Sequence, residues 1–139
     1  MKRLITYSIF AAAALTAVAG SASAQALKAE IPFSFRAGTT QMGPGTYDIV
    51  VDKTSANCVF RLYNRDSNAS VMLINYAQDD AAKAWVKAGL PTMSFVCTES
   101  RCALQKIWLG SDYAYRFTGR PAGDNNARVA EIRLTRAGD

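Results

Sequence analysis

The residue types that could carry chemistry in this sequence are few, and the cysteines are the first of them. The chain contains three cysteines and no histidine. Cys97 and Cys102 flank the turn-prone segment TESR, and the segments on either side, TMSFVC and CALQKIW, alternate as strands do. A hairpin that pairs these strands sets Cys97 opposite Cys102, at a spacing that a disulfide spans. The same register makes Phe95 face Leu104, and the pattern predicts a Cys97–Cys102 disulfide.

Other uses of these thiols fit the sequence less well. A structural zinc site takes four ligands drawn mainly from Cys and His, and this chain offers three cysteines and no histidine. A thioredoxin-like redox centre needs two cysteines separated by two residues, whereas four residues separate Cys97 from Cys102. We therefore expect no metal site and no cofactor.

Cys58 is the third cysteine, and it belongs to the segment CVFRLYN. If Arg61 of this strand faces water, the alternation turns Cys58 inward, where a lone thiol behaves as a small apolar side chain. We predict that Cys58 is a buried free thiol. The alternative that Cys58 bonds Cys97 or Cys102 and frees the other stays open at the level of sequence.

Most catalytic arrangements are missing from the sequence. The absence of histidine removes imidazole bases and the nucleophile pairs that depend on them. A pair of carboxylates, as in a glycoside hydrolase, is the remaining option. Asp79 and Asp80 are explained more simply as a helix N-cap, and Asp48 and Asp52 as solubilising charges on the outer face of a strand. We expect a non-catalytic protein, with a carboxylate-based hydrolase as the enzymatic alternative.

The N-terminus has the organisation of a secretory signal peptide. Lys2 and Arg3 precede an apolar stretch that is short for a membrane span, and small residues lead to Ala24. We expect residues 1–24 to be removed, leaving residues 25–139 as one periplasmic or secreted domain with no membrane span. Without Lys2 and Arg3 the domain keeps 14 basic against 11 acidic residues, scattered along the chain. This mild charge of +3 argues against a nucleic-acid partner.

Period-two alternation dominates residues 25–139 and predicts an all-β fold. The segment EIPFSFRA would form one strand with Ile31, Phe33 and Phe35 on one face and Pro32 at a sheet edge. SVMLINYA is apolar on both faces, so we expect a central place in a sheet for it. The pattern predicts a small antiparallel β-barrel or β-sandwich of about seven to eight strands with one short helix.

The predicted helix lies in the segment DDAAKAWVKAGLP. Asp79 or Asp80 would be its N-cap, Gly89 would end it, and Trp85 would anchor it to the sheet. For residues 127–136 a final strand with Ala130 and Leu134 facing the core competes with a short helix.

Aromatic side chains could give the fold a binding site. Phe33, Tyr47, Phe60 and Tyr115 lie at inward-facing positions of their predicted strands and could line a cavity for a small apolar or aromatic ligand. The competing interpretation is a packed core, because small β folds fill their interiors with side chains.

Several motifs resemble those of one protein family. The segments IPFSFRAG, GPGTYDI, RLYNRDSNASVMLI and SFVCTESRCALQKIW resemble a family of small, exported bacterial β proteins that carry (V/I)PF-x-F and P-(A/G)-G-x-Y motifs. The resemblance covers most of residues 29–109 and implies a β fold and an envelope or extracellular location. It transfers no catalytic residue. The two cysteines of the late hairpin and the insert around Trp85 depart from the family's pattern.

Together these features favour an exported, non-catalytic structural or interaction module of the cell envelope. The residues identify no specific partner; an envelope protein or a small apolar ligand is expected.

Overall fold

The computed structural model describes residues 25–54, 57–99, 101–118 and 126–136. The predicted signal peptide, residues 1–24, lies outside the described residues. The described part contains twelve strands and one short helix. In chain order these are β1 (Gln25–Ile31), β2 (Phe35–Ala37), β3 (Thr40–Met42), β4 (Gly45–Thr54), β5 (Asn57–Asn64), β6 (Ser70–Ile74), β7 (Ala77–Asp80), α1 (Lys83–Ala88), β8 (Thr92–Thr98), β9 (Arg101–Trp108), β10 (Tyr113–Arg116), β11 (Arg128–Arg133) and β12 (Thr135–Arg136).

Five of these strands form the first sheet, in the order β12-β1-β4-β5-β6, and all neighbours are antiparallel. The long central strand β4 shows why the sequence folds this way. Tyr47, Ile49 and Val51 alternate with polar or less buried residues and are fully or almost fully buried. One face of this sheet therefore supplies apolar side chains to a core.

The second sheet follows the order β11-β8-β9-β10-β7, again antiparallel. The short β2 pairs with β9 in parallel and with β3 in antiparallel orientation. A β-bulge interrupts the β8–β9 pair, because Ser94 lies opposite Lys106 whereas Phe95 lies opposite Leu104. Gln105 is the extra residue of β9, and the bulge changes which side chains this part of the sheet presents on each face.

The two sheets share one hydrophobic core, to which both contribute fully buried residues such as Ile49, Phe60, Phe95 and Leu104. The all-β prediction is confirmed. The described strands form two sheets and do not close into a barrel, so of the two predicted architectures the sandwich-like one agrees with the structure. The predicted number of strands is too low, because segments as short as β2, β3 and β12 carry too few residues for alternation to reveal them.

One predicted strand is interrupted at a proline. The segment EIPFSFRA is interrupted, because β1 ends at Ile31 and β2 begins at Phe35. Pro32 has no N–H to donate to a neighbouring strand. Ile31 and Phe35 are buried and Phe33 packs against the core, so the predicted inward set is right although the strand is not continuous.

The position of β6 was predicted wrongly. The apolar residues on both faces of SVMLINYA indicated a central strand, but β6 is the terminal strand of the first sheet and pairs only with β5 among the described strands. Leu73 is buried, whereas Met72 and Ile74 are about three-fifths exposed. The outer apolar face of β6 is therefore uncovered.

The predicted helix exists but begins later than expected. Asp79 and Asp80 belong to β7 and pair with β10, while the N-cap position falls on Ala82 without a side-chain cap. Pairing with a neighbouring strand takes precedence over the capping preference of aspartate. Gly89 ends the helix, as predicted, and adopts the left-handed conformation. Trp85 is buried against Trp108 of β9.

The open question over residues 127–136 is resolved in favour of strand. Arg128–Arg133 pair with β8, and Thr135–Arg136 pair with β1. Leu134, between the two strands, is buried, and Ala130 packs against the core.

Candidate interaction surface

The predicted cross-strand relationship of the two hairpin cysteines is present. Cys97 and Cys102 are directly paired, with Cα atoms 4.0 Å apart and the sulfur atoms at bonding distance, consistent with a disulfide. Phe95 pairs with Leu104 as the register required. Cys58 is a buried free thiol in the core, beside Tyr115. The alternative pairing of Cys58 with a hairpin cysteine does not occur in the structure.

Beside the disulfide, the surface has a wide depression of about 640 Å³. Phe33 and the exposed Val129 contribute apolar surface, and Glu99 and Arg128 contribute opposite charges. The depression has a wide opening to solvent, unlike the concave sites that bury most of a small ligand. We assign no ligand to it.

The four predicted ligand-lining residues lie in different surroundings. Phe33 lines this depression and contacts Phe95 edge-on, with ring centroids 5.1 Å apart. Tyr47 is fully buried, and its hydroxyl donates a hydrogen bond to the carbonyl of Gly43. Burial raises the pKa of Tyr47, which a hydrogen bond from Asn64 partly offsets.

The other two members of this set contact each other. The Phe60 and Tyr115 rings are 5.2 Å apart, and Phe117 packs against Phe60. Burial, and then the neighbouring Cys58, raise the pKa of Tyr115 to about 12. The three residues Tyr47, Phe60 and Tyr115 occupy the core as packed side chains. A shared cavity lined by all four predicted residues stays a prediction.

Two of the four carboxylates considered for catalysis, Asp48 and Asp79, form ion pairs with basic side chains. Asp79 contacts Lys106 at 3.1 Å and Arg116 at 3.5 Å. Asp48 pairs with Arg65 at 2.6 Å, and this contact raises the pKa of the exposed guanidinium. Within the described residues, no group of three or more Cys, Asp or Glu side chains is placed to hold a metal ion.

One acidic pair was not recognised from the sequence. Glu30 and Glu131 both line a depression of about 480 Å³ between β1 and β11, together with Lys28 and Arg133. Both glutamates are exposed, and each has a basic neighbour in the same depression. We interpret this region as a solvated, charge-balanced surface, because a general acid depends on a buried carboxyl group.

The most unusual surface lies on β6 and its continuation. Three of the exposed large apolar residues, Met72, Ile74 and Tyr76, occur within five positions of one another, with exposed fractions of 61%, 62% and 62%. Met72 lies opposite Arg61 and Ile74 opposite Val59 on the outer face of the sheet. We refer to the strand Ser70–Ile74 together with Tyr76 as the β6 edge.

The other terminal strands of the two sheets are charged or very short, and either feature protects a sheet edge. At the ends of the second sheet, β11 contains Arg128, Glu131 and Arg133, and β7 contains Asp79 and Asp80. The terminal β12 of the first sheet has only two residues, one of them an arginine, and β3, which pairs only with β2 in the second sheet, is uncharged but has only three. By contrast, the chain has no charged residue, no proline and no glycine from position 67 to position 78. Among the described terminal strands of the two sheets, β6 is therefore the one that neither charge nor shortness protects.

The turn before β6 fixes the strand at one end. Asn64 is fully buried, its side-chain oxygen accepts a hydrogen bond from the Asp66 N–H at 2.9 Å, and its backbone N–H bonds the carbonyl of Ala69. Asn68 has a φ of +58°, and its side chain accepts a hydrogen bond from the Tyr63 hydroxyl. Asparagine tolerates this left-handed conformation better than most residues.

Contacts with β5 and with the second sheet hold the other end. The Asn75 side chain accepts a hydrogen bond from the backbone N–H of Cys58 and donates one to the carbonyl of Ala77. The Tyr76 N–H bonds the carbonyl of Arg116, whose guanidinium lies 5.0 Å from the centre of the Tyr76 ring. With both ends fixed, β6 presents a pre-formed extended backbone, and pre-organisation lowers the entropic penalty of binding.

Such an edge can bind another extended chain. Unpaired N–H and C=O groups of a terminal strand accept a further strand, and exposed side chains at alternate positions give the contact its specificity. The sequence contained a signal for an open sheet edge, because the uncharged run from position 67 to position 78 is visible without a structure. Its apolar character was instead attributed to a central position in the sheet.

No helix among the described residues is both long and apolar enough to cross a lipid bilayer. No protein-family model, curated protein or solved structure matches this chain. The resemblance to the exported β family stays a prediction.

Proposed function

We propose that this protein is an exported, non-catalytic interaction module of the cell envelope that associates with a second copy of itself through the β6 edge. The observation that carries the proposal is the contrast between this edge and the other terminal strands. Charges or shortness protect the others, whereas β6 exposes Met72 and Ile74 beside an open strand edge. Retaining an uncharged edge is a liability for a monomer, so its presence favours an interface.

Self-complementarity favours a second copy as the occupant. An antiparallel pairing of two β6 strands centred on Leu73 would place Met72 of each copy opposite Ile74 of the other. Two-fold symmetry makes this contact twice, as in most homodimers. The segment is uncharged, so the pairing brings no like charges directly together.

The predicted export and the non-catalytic character are parts of the same proposal. A cysteine pair at disulfide distance is compatible with an oxidising compartment. The absence of histidine from the whole sequence, and the ion pairing of Asp48 and Asp79, give no support to a catalytic centre. The resemblance to exported β proteins points in the same direction.

Sedimentation velocity over a range of protein concentrations tests the association. The wild-type protein should show a monomer–dimer equilibrium in the micromolar range. Ile74→Lys should shift it to monomer, because a lysine on a strand edge opposes pairing. Val86→Lys is the matched control: Val86 is 56% exposed, close to the 62% of Ile74, but lies on α1.

The Val86→Lys variant should keep the wild-type equilibrium. Circular dichroism should show that both variants retain the β fold. A wild-type protein that stays monomeric throughout, or equal dissociation in both variants, would contradict association through the β6 edge.

A further inference from the structure

The methionines of this protein differ widely in their access to solvent. The sequence contains four, of which Met1 belongs to the predicted signal peptide, outside the described residues. Met42 and Met93 are 1% and 0% exposed, whereas Met72 is 61% exposed. Among the described residues, Met72 is therefore the one methionine whose side chain is open to dissolved reagents.

The cysteines do not compete with Met72 for a dissolved oxidant. The sulfur atoms of Cys97 and Cys102 are at bonding distance from each other, and Cys58 is a buried free thiol. An exposed thiol would react before a thioether, but a buried one is inert because the oxidant does not reach it. Met72 is therefore the most accessible oxidisable sulfur in the part of the chain that the structure describes.

Met72 lies in the middle of the β6 edge. It is the third of the five residues of β6 and pairs with Arg61 of β5. In the antiparallel pairing of two copies centred on Leu73, its side chain lies opposite Ile74 of the other copy. Two-fold symmetry repeats this contact, so a chemical change at Met72 alters the interface twice.

Oxidation makes this side chain polar. The lone pair of the Met72 Sδ atom attacks one oxygen of hydrogen peroxide, an S–O bond forms and the O–O bond breaks. The second oxygen leaves as water after proton transfer, so the sulfur loses the two electrons that the peroxide gains. The product is a sulfoxide, a polar group whose burial against an apolar side chain is unfavourable.

We propose that Met72 is an oxidation-sensitive switch of the β6 edge, at which a peroxide forms the sulfoxide and converts the dimer to monomers. This inference rests on the proposed association through the β6 edge. Pairing covers Met72, so the oxidant reacts with the monomer and draws the equilibrium toward it by mass action. A thiol-dependent sulfoxide reductase reverses the step: two thiols become a disulfide, and the oxygen leaves as water.

Peptide mass spectrometry after graded treatment with hydrogen peroxide tests the site. Met72 should gain one oxygen at least about tenfold faster than Met42 and Met93, because reactivity follows exposure. The rate at Met72 should fall as the protein concentration rises through the range of the dimer equilibrium. In the monomeric Ile74→Lys variant, the rate at Met72 should not depend on protein concentration.

Sedimentation velocity before and after treatment tests the effect on association. Complete oxidation of Met72 should weaken the dimer at least about tenfold, because two sulfoxides enter one interface. Met72→Leu is the matched control, since leucine has a similar volume and no sulfur. This variant should associate as the wild type does and should not respond to peroxide.

A second variant imitates the oxidised state. Met72→Gln places a polar side chain of similar length at the same position and should be monomeric without peroxide. Circular dichroism should show that both variants and the oxidised wild type retain the β fold, which separates loss of association from unfolding.

Three results overturn the switch and leave the association intact. These are a dimer that persists with Met72 fully oxidised, equal dissociation of wild type and Met72→Leu by peroxide, and oxidation of Met42 or Met93 as fast as Met72. A wild-type protein that is monomeric before treatment contradicts the association itself, and the switch with it.

Discussion

A Cβ atom added at Gly45 would lie 2.7 Å from Oδ1 of Asn64, closer than side chains tolerate. Asn64 is fully buried and joins two chain connections. Its side-chain nitrogen donates to the carbonyls of Gly43 and Pro44, and its oxygen accepts from the Asp66 N–H. The connection before β4 and the turn before β6 therefore depend on the same side chain, which occupies the space beside Gly45.

The first prediction concerns Gly45. Gly45→Ala should lower the free energy of unfolding by about 2–4 kcal/mol, because the added carbon displaces Asn64 and the φ of +153° is strained for any other residue. Gly43→Ala is the matched control, since nothing lies within 4 Å of its added carbon. Chemical denaturation measures both. Equal midpoints for the two variants would mean that Asn64 does not constrain this position.

The second prediction compares a buried with an exposed hydrogen bond. Asn64→Ala should destabilise the protein by about 3 kcal/mol, because carbonyl and N–H groups in two connections lose their partner. Tyr63→Phe removes the exposed hydrogen bond to Asn68 and should destabilise by less than about 1 kcal/mol. Thermal and urea unfolding of both variants tests this order. A Tyr63→Phe variant as unstable as Asn64→Ala would show that burial does not decide the energies here.

The features of the fold that the sequence predicted correctly are those determined by residues close together in the chain. Alternation and the two cysteines determined the hairpin register, so Phe95 faces Leu104 as expected. Gly89 ends the helix because a left-handed C-cap is a local requirement.

The incorrect predictions concern contacts between distant segments. Asp79 and Asp80 had the composition of an N-cap, but pairing with β10 placed them in a strand. β6 had the composition of a central strand, but it lies at a sheet edge. Local pattern cannot tell a strand that has neighbours on both sides from a strand at a sheet edge, since either can carry apolar residues on both faces. The surface groove lined by Trp85, Ser94 and Lys106 was missed for a similar reason, because these residues meet only in the folded chain.

The third prediction concerns the tip of the cysteine hairpin. Glu99 has a φ of +45°, a conformation that glutamate adopts reluctantly and asparagine adopts readily. Glu99→Asn should raise the free energy of unfolding by about 0.5–1 kcal/mol, in line with relief of strain at one residue. Glu131→Asn, at an exposed glutamate within a strand, should give no gain, because asparagine is disfavoured in strands. A loss of stability for Glu99→Asn would exclude strain at this position.

The fourth prediction tests the disulfide and the predicted export together. Mass spectrometry of the protein isolated from its host should show chains that begin at Gln25 and contain a Cys97–Cys102 link. Removing both cysteines, Cys97→Ala with Cys102→Ala, should lower stability by about 2 kcal/mol, as expected for a short closed loop. Cys58→Ala should leave the link intact. A free thiol at position 97 or 102 in the Cys58→Ala variant would instead reveal the alternative pairing.

The fifth prediction concerns alkaline stability. Burial and the adjacent Cys58 raise the pKa of Tyr115 from 10.0 to about 12. The unfolded chain therefore loses this proton first, and the stabilisation present below pH 10 should decrease as the pH rises toward 12. Tyr115→Phe should show a shallower decline in the free energy of unfolding over this interval. Tyr113→Phe, at a tyrosine that is 51% exposed, should decline as the wild type does. If Tyr115→Phe and the wild type decline with the same slope, Tyr115 does not control stability at high pH.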